Sequence, residues 1–176
     1  MNIYIMRHGT TVWNEIGRIQ GHSNNRLSVN GKKLVQERAI EYKNTKFDVI
    51  FCSPLMRTVQ TANLMNTYHN IKMIRDKRII ECDEGIYTRR YKSSLKSEEI
   101  ENRKDAKFME SWQSVYDRSK IFIDYIKNLQ YEDILIVTHD INATCLESIL
   151  TNDNINFNEY KYIKNFNNAE VRLFNI

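Results

Sequence analysis

The chain has 176 residues, the length of one domain, and a folded chain of that size buries roughly 70% of the surface it exposes when unfolded. Hydrophobic residues make up 41% and charged residues 27%, the balance of a globular protein with a core and not of a disordered chain. The net charge of +4 suits an anionic small molecule but is too small to predict a nucleic-acid partner.

Cys52, Cys82 and Cys145 are odd in number, widely spaced and form no CxxC pair, which predicts reduced thiols and neither a disulfide framework nor a zinc site. The N-terminus lacks the basic stretch and long apolar run of a signal peptide. No segment approaches the ~20 apolar residues of a membrane span. A cytoplasmic protein without a membrane partner is expected.

The predicted elements begin with an apolar run at 2–6, read as a buried strand ending at Arg7, His8 and Gly9. Residues 10–27 are loop-like. Helical spacing of Val29, Leu34, Val35, Ala39 and Ile40 predicts a helix from Ser28 to about Tyr42. A second apolar strand at 49–52 is closed by Ser53 and Pro54, and a helix follows with an apolar face at Leu55, Val59, Ala62, Leu64 and Met65. Pro54 is placed in that helix's first turn, a position proline favours. A weaker strand is predicted at 71–74 and a strong one at 134–137, with a helix over 141–150 and an edge strand in the final "AEVRLFNI".

Strands alternating with helices predict crossover units and a largely parallel α/β sheet. The whole chain, 1–176, reads as a single domain. Between Glu81 and Trp112 the sequence is polar and weakly periodic, read as an excursion over the top of the sheet, a short lid at about 85–111. The asparagine-rich segment 152–168 reads as surface loop.

Ligands of open parallel sheets bind beyond the carboxyl ends of the strands. Arg7 and His8 end the first strand, Arg57 follows the second through "SPLMR", and His139 ends the "DILIVTHD" strand. Glu81 follows the weak third run. Singly, each has an ordinary reading as a surface arginine, a satisfied histidine or a loop carboxylate. Together at strand ends they form a set suited to phosphoryl transfer through a covalent histidine. A neutral imidazole attacks phosphorus, arginines clamp the nonbridging oxygens, and a carboxylic acid protonates the leaving group. The guanidinium groups take the place of a metal, so neither a metal nor another cofactor is predicted.

The segments "RHGTTVWN", "GRIQGH", "LSVNG", "SPLMRTVQTA", "RIIECDEG", the stretch from Glu110 to Arg118, "ILIVTHD" and "NAEVRLF" span nearly the whole chain. In this order they resemble the histidine phosphatase superfamily, in its phosphoglycerate mutase-like branch. The resemblance implies a three-layer α/β/α sandwich around a mostly parallel sheet. It implies His8 as the phosphorylated nucleophile, with Arg7, Arg57 and His139 in the phosphate pocket and Glu81 as the acid/base. It implies Asn14, Gln20 and Gly21 beside the substrate; Thr10 and Asp140 are further candidates for binding it.

The chain departs from the family pattern at several positions. Asp140 stands where glycine usually follows the second histidine. Its carboxylate either caps the following helix, raises the pKa of His139, or faces inward and repels the substrate. Glu84 replaces an aromatic or apolar residue and competes with Glu81 for the acid role, with register favouring Glu81. Asn24 and Arg26 replace an aspartate and a proline and are expected to alter substrate contacts.

The short excursion and "GRIQGH" resemble the phosphatases of the family more than its mutases. A metal-independent phosphomonoesterase acting on a small phosphorylated metabolite, with inorganic phosphate as product, is therefore expected. Mutase-type phosphoryl transfer and a catalytically idle phospho-ligand-binding module are the alternatives. The basic residues of the excursion, among them Arg89, Arg90, Lys92 and Lys107, alternate with Glu98, Glu99, Glu101 and Asp105, so they read as a solvated face with acidic partners before they read as a substrate-steering patch. The sequence specifies no oligomeric state.

Overall fold

Apolar residues on both faces of the three central strands place those strands in the middle of the molecule. A computed structural model describes residues 1–153 and 165–176. The sheet has five strands in the order β3 (Met73–Arg75), β2 (Val49–Cys52), β4 (Asp133–Thr138), β1 (Asn2–Arg7), β5 (Val171–Asn175). All neighbours are parallel except β5, which runs antiparallel to β1 at the edge.

Side-chain alternation then decides the layers. Ile3, Ile5, Val49, Phe51, Ile134 and Ile136 point to one face. There they pack on Phe122, Ile123 and Ile126 of α5 (Trp112–Lys127) and on Ala143 and Leu146 of α6 (Asp140–Thr151). Met6, Ile50, Cys52, Leu135 and Val137 point to the other face. They meet Val35 and Ala39 of α2 (Val29–Glu41) and Val59, Ala62 and Met65 of α3 (Met56–Met65). The result is the expected three-layer α/β/α sandwich.

Two further helices are short: α1 (Val12–Glu15), inside the segment read as loop, and α4 (Ser97–Lys104), inside the polar excursion. Helix α2 starts as its sequence predicts, with Ser28 Oγ accepting from Gly31 N at 3.0 Å. Pro54 differs from expectation. It precedes the N-cap residue Leu55 and lies outside α3. Leu55 offers no capping side chain, and Asn24 supplies one from far along the chain, its Oδ1 accepting from Met56 N at 2.6 Å.

Helix α5 has no counterpart among the predicted elements. Its buried stripe is blurred by exposed Ile121 and Tyr125, so "KIFIDYI" reads as apolar all round. The third strand is shifted to 73–75. Most of the asparagine-rich segment, 154–164, lies outside the described residues. At its end Phe166 is fully buried in the core, and not in surface loop.

The three cysteines are free and buried, and burial pushes the Cys52 thiol up to about 11 and that of Cys145 to about 12. Among the described residues no helix is long and apolar enough to cross a membrane.

Helix α2 lies so close to the segment after β1 that neither Gly9 nor Gly31 has room for a side chain. A Cβ on Gly9 would sit 2.5 Å from Val35 Cγ2, and one on Gly31 only 1.9 Å from the Thr10 carbonyl oxygen. Gly31→Ala should therefore destabilise the fold by about 2 kcal/mol despite alanine's better helix propensity, because overpacking against backbone outweighs it. A lower denaturant midpoint with unchanged slope in chemical unfolding would show this; equal or greater stability would contradict it.

Candidate active site

The parallel ladder continues one residue past β1 and β2 and so sets the positions of the candidate side chains. His8 N donates to Thr138 O at 2.9 Å, and Ser53 N donates to Val137 O at 3.1 Å. This aligns His8, Ser53 and His139 at the carboxyl edge of the sheet. From there α3 delivers Arg57 in its first turn, just after the bend that follows β2. Gly9 N is held by Thr61 Oγ1 of the same helix at 3.0 Å.

Arg57 is 1% exposed and binds the site together. Its Nε lies 3.2 Å from His8 Nε2 and 3.1 Å from His139 Nδ1. The other two nitrogens donate to backbone, Nη1 to Ser23 O at 2.7 Å and Nη2 to Gly21 O at 2.9 Å. A guanidinium has only donors, so each imidazole must present a lone pair to it. The Gly9 carbonyl 2.7 Å from His8 Nδ1 can only accept, so the His8 proton sits on Nδ1 and Nε2 is the free base. His139 takes the opposite tautomer, Nε2 donating to Ser53 Oγ at 2.8 Å.

Electrostatics agree with this assignment. Burial, then the charge of Arg57, hold both His8 and His139 well below the ordinary imidazole range, so both are neutral near pH 7. Burial also pulls Arg57 down to about 10, which leaves it charged.

Glu81 enters the pocket from the segment after β3. Its backbone is clamped by Arg118 of α5, whose Nη1 donates to Arg78 O at 2.8 Å and Ile80 O at 2.6 Å, and whose Nη2 donates to Glu81 O at 3.0 Å. Glu110 in turn holds Arg118, Oε1 accepting from Nε at 2.9 Å. His22 Nε2 lies 2.7 Å from the same Glu81 carbonyl. Burial, then the neighbouring Asp140 carboxylate, push Glu81 up to about 7, against the opposing pull of Arg57 and Arg7. A carboxyl with that pKa carries its proton for a large part of the time at neutral pH.

Of the three arrangements considered for Asp140, the structure shows the carboxylate facing inward, on the wall of the pocket. The N-cap of α6 is His139, without a capping side chain, and Asp140 is the first helical residue. His139 is lowered and not raised. The carboxylate pairs with Arg7, Oδ2 lying 3.2 Å from Nη1, and its Oδ1 accepts from Phe166 N at 3.0 Å.

A pocket of about 500 Å³ opens over these groups. Arg7, His8, Arg57, Glu81 and Asp140 line it, together with Asn14, Gln20 and Gly21. His139 is fully buried behind Arg57. Thr10 does not line the pocket: its carbonyl accepts from Ser28 N at 2.9 Å and ties the loop to α2. Nor do Asn24 or Arg26, both exposed. Glu84 is a buried part of the wall beside Gly21.

Asn14 and Gln20 are held by Thr11, whose Oγ1 lies 2.9 Å from Asn14 Oδ1 and 3.0 Å from Gln20 Oε1. The excursion supplies Lys92, Leu95 and Ile100 to the outer wall. It is pinned to the loop after β1 by Ile19 N to Arg90 O at 2.9 Å and Lys92 N to Gly17 O at 2.9 Å. Arg90 pairs with Glu99 at 2.8 Å, as expected of a basic stretch with acidic partners, whereas Lys92 faces the pocket. Among the described residues no three His, Cys, Asp or Glu side chains are gathered in the manner of a metal site.

Sequence reasoning did not single out Ser53 or assign a role to Arg118. Arg118 lay within a recognised segment, but its role depends on α5 packing against the 78–81 backbone. Ser53 carried no signal beyond closing a strand.

The strand-end histidine on a parallel α/β sheet has two arginines and a second histidine around it, and comparison with known proteins gives the class. The chain matches the family model described as histidine phosphatase superfamily (branch 1) over residues 3–176 and belongs to that family. It is 30% identical over 156 residues to phosphoserine phosphatase 1 of Hydrogenobacter thermophilus, covering 80% of this chain and 72% of that one. It is 31% identical over 160 residues to the Escherichia coli protein named "Probable phosphoglycerate mutase GpmB", covering 85% and 74%. The crystal structure of an alpha-ribazole phosphatase from Shigella flexneri superposes with a TM-score of 0.87 at 24% identity, over 100% of this chain and 91% of that one, a likeness of fold.

The opposed hydrogen bonds of the two histidines lead to a direct expectation. At pH 7 the imidazole nitrogen shifts should show His8 as the neutral Nδ1–H tautomer and His139 as the neutral Nε2–H tautomer, and Ser53→Ala should perturb only the latter. An imidazolium at either position in the ligand-free protein would contradict the geometry.

Proposed function

We propose that the protein is a metal-independent phosphomonoesterase that hydrolyses small phosphorylated metabolites through a phosphohistidine at His8. The observation that carries this reading is the tautomer of His8, whose Nδ1–H is spent on Gly9 O so that Nε2 keeps its lone pair beside Arg57 in a pocket also lined by Arg7.

In the first step Nε2 of His8 attacks phosphorus and the bond from phosphorus to the ester oxygen breaks. Glu81, protonated, gives its proton to that oxygen and the alcohol leaves. Arg7 and Arg57 hold the nonbridging oxygens as charge moves, without any reorganisation of solvent. In the second step the Glu81 carboxylate takes a proton from water, the water oxygen bonds to phosphorus, and the N–P bond breaks. Nε2 regains its lone pair, Glu81 its proton, and inorganic phosphate departs.

A 500 Å³ pocket is the size of a metabolite site. Beyond the phosphate end its wall mixes Arg18 and Lys92 with Leu95, Ile100, Trp112 and Ile141. That wall suits a small ester with both polar and apolar surface, and the relatives named as phosphoserine and alpha-ribazole phosphatases supply the first substrates to try. The relative named as a phosphoglycerate mutase supports a second reading, transfer of the phosphoryl group to another hydroxyl in place of water.

With EDTA present, the native protein should release phosphate from an aryl phosphate and His8→Ala should lose at least ~10³-fold of that activity. Turnover retained by His8→Ala would overturn the mechanism, and phosphoglycerate isomerisation faster than phosphate release would favour the mutase. Binding of phosphate esters without turnover or transfer would leave a phospho-ligand-binding module.

The pH dependence follows from two groups. His8 must be neutral, so activity falls as pH drops through its folded value, well below 6.5. Glu81 must be protonated, so activity falls as pH rises through about 7. The kcat/KM profile should therefore be a bell with its maximum on the acid side of neutrality, and Glu81→Gln should lose its basic limb.

A further inference from the structure

Asp140 places a carboxylate in a pocket that otherwise gathers donors for an anion. It belongs to a closed ring of three groups. Its Oδ2 pairs with Arg7 Nη1 at 3.2 Å, its Oδ1 accepts from Phe166 N at 3.0 Å, and Arg7 Nη1 donates to Phe166 O. One nitrogen of Arg7 is thus engaged by an internal anion and a carbonyl. Arg7 Nε, by contrast, is buried with no hydrogen-bond partner among the described residues. Arg7 is therefore held on one side by the protein while the residue also lines the pocket.

We propose that Asp140 is a built-in counter-anion: it holds one edge of Arg7, offsets part of that arginine's charge, and so weakens the pocket's grip on inorganic phosphate. The inference rests on the phosphatase reading above and adds a tuning role to it. Hydrolysis of a phosphohistidine leaves a phosphate dianion between two arginines, and slow release of such a product limits turnover. A carboxylate on the far side of Arg7 speeds that release at the expense of initial affinity. Asp140 acts through Arg7 and is in this sense a positioning residue. Its own surroundings are Arg7 from β1, Lys92 from the excursion and Arg172 from β5, with the Phe166 N–H on one oxygen.

The same charge reaches Glu81. Facing the Glu81 carboxyl are Asp140 from α6, Arg57 from α3, Arg7 from β1 and the Cys82 N–H. Glu84 lines the same pocket, the Cys82 and Cys145 thiols lie nearby in protonated form, and Arg118 and His22 bind the Glu81 carbonyl. Asp140 is the acidic neighbour that favours the protonated acid there. Removing its charge should strengthen phosphate binding and deprotonate Glu81 at lower pH. Both changes come from one cause, and a purely structural role would produce neither.

Asp140→Asn tests this, because the amide keeps an oxygen for Phe166 N and loses the charge. Calorimetric titration with inorganic phosphate should show about tenfold tighter binding than in the native protein. Product inhibition of aryl phosphate hydrolysis should strengthen in parallel, and the basic limb of kcat/KM should move to lower pH. Asp140→Gly, which also removes the charge and adds no bulk, should behave the same way and serves if the asparagine variant fails to fold by thermal melting. Phosphate affinity unchanged or weaker in the folded variant would overturn the proposal. If the native protein released no phosphate from any ester, the phosphatase reading would fall, and the phosphate titration alone would still decide the role of Asp140.

Discussion

One N–H group, Nε of Arg57, lies within hydrogen-bonding distance of two imidazoles, and the rest of the site depends on it. A guanidinium buried this completely would be costly without acceptors around every nitrogen. Here the acceptors are two backbone carbonyls and the lone pairs of His8 and His139. Satisfying the arginine therefore forces both histidines to be neutral, and forces the tautomer of each. The lone pair left on His8 Nε2 follows from burying Arg57 correctly.

The sheet explains why those three residues can meet. His8 and His139 follow neighbouring parallel strands whose ends are in register, Arg7 opposite Thr138. Arg57 comes from the helix after the strand on the other side of β4. Glu81 is held differently. It belongs to no strand or long helix, and its position comes from Arg118 donating to the carbonyls of Arg78, Ile80 and Glu81. Helix α5 thus has two tasks, covering one face of the sheet with Phe122, Ile123 and Ile126 and presenting Arg118 to the 78–81 backbone.

The pocket's charge is finely divided. Two arginines line the pocket, while Asp140 engages one of them and Glu81 sits near its titration midpoint at neutral pH. Under the proposed function, a stronger cationic pocket would bind phosphate more firmly and hold Glu81 ionised, against the role proposed for it as acid. Affinity and acidity are coupled through the same few charges.

The strands at 2–6, 49–52 and 134–137, the helix capped by Ser28 and the edge strand at the C-terminus were legible because their apolar spacing and capping residues are local signals. So were His8, Arg7, Arg57, Glu81 and His139 as a group, since polar residues of those types directly after apolar runs mark the ligand-binding edge of a parallel sheet. Helix α5 was not legible, because exposed Ile121 and Tyr125 hide its periodicity. The partners of Thr10, Asn24 and Asp140 were not legible for a common reason. What Thr10 binds is set by α2, what Asn24 binds is set by a helix end 32 residues on, and what Asp140 binds is set by Arg7 and Phe166. By itself the sequence determined the elements and the chemical kinds of group at their ends, since those depend on neighbours a few residues apart. Only the tertiary structure decided the tautomers, the shifted acid and the partner of each charge, because hydrogen bonds and desolvation act between side chains that the fold brings together from distant parts of the chain.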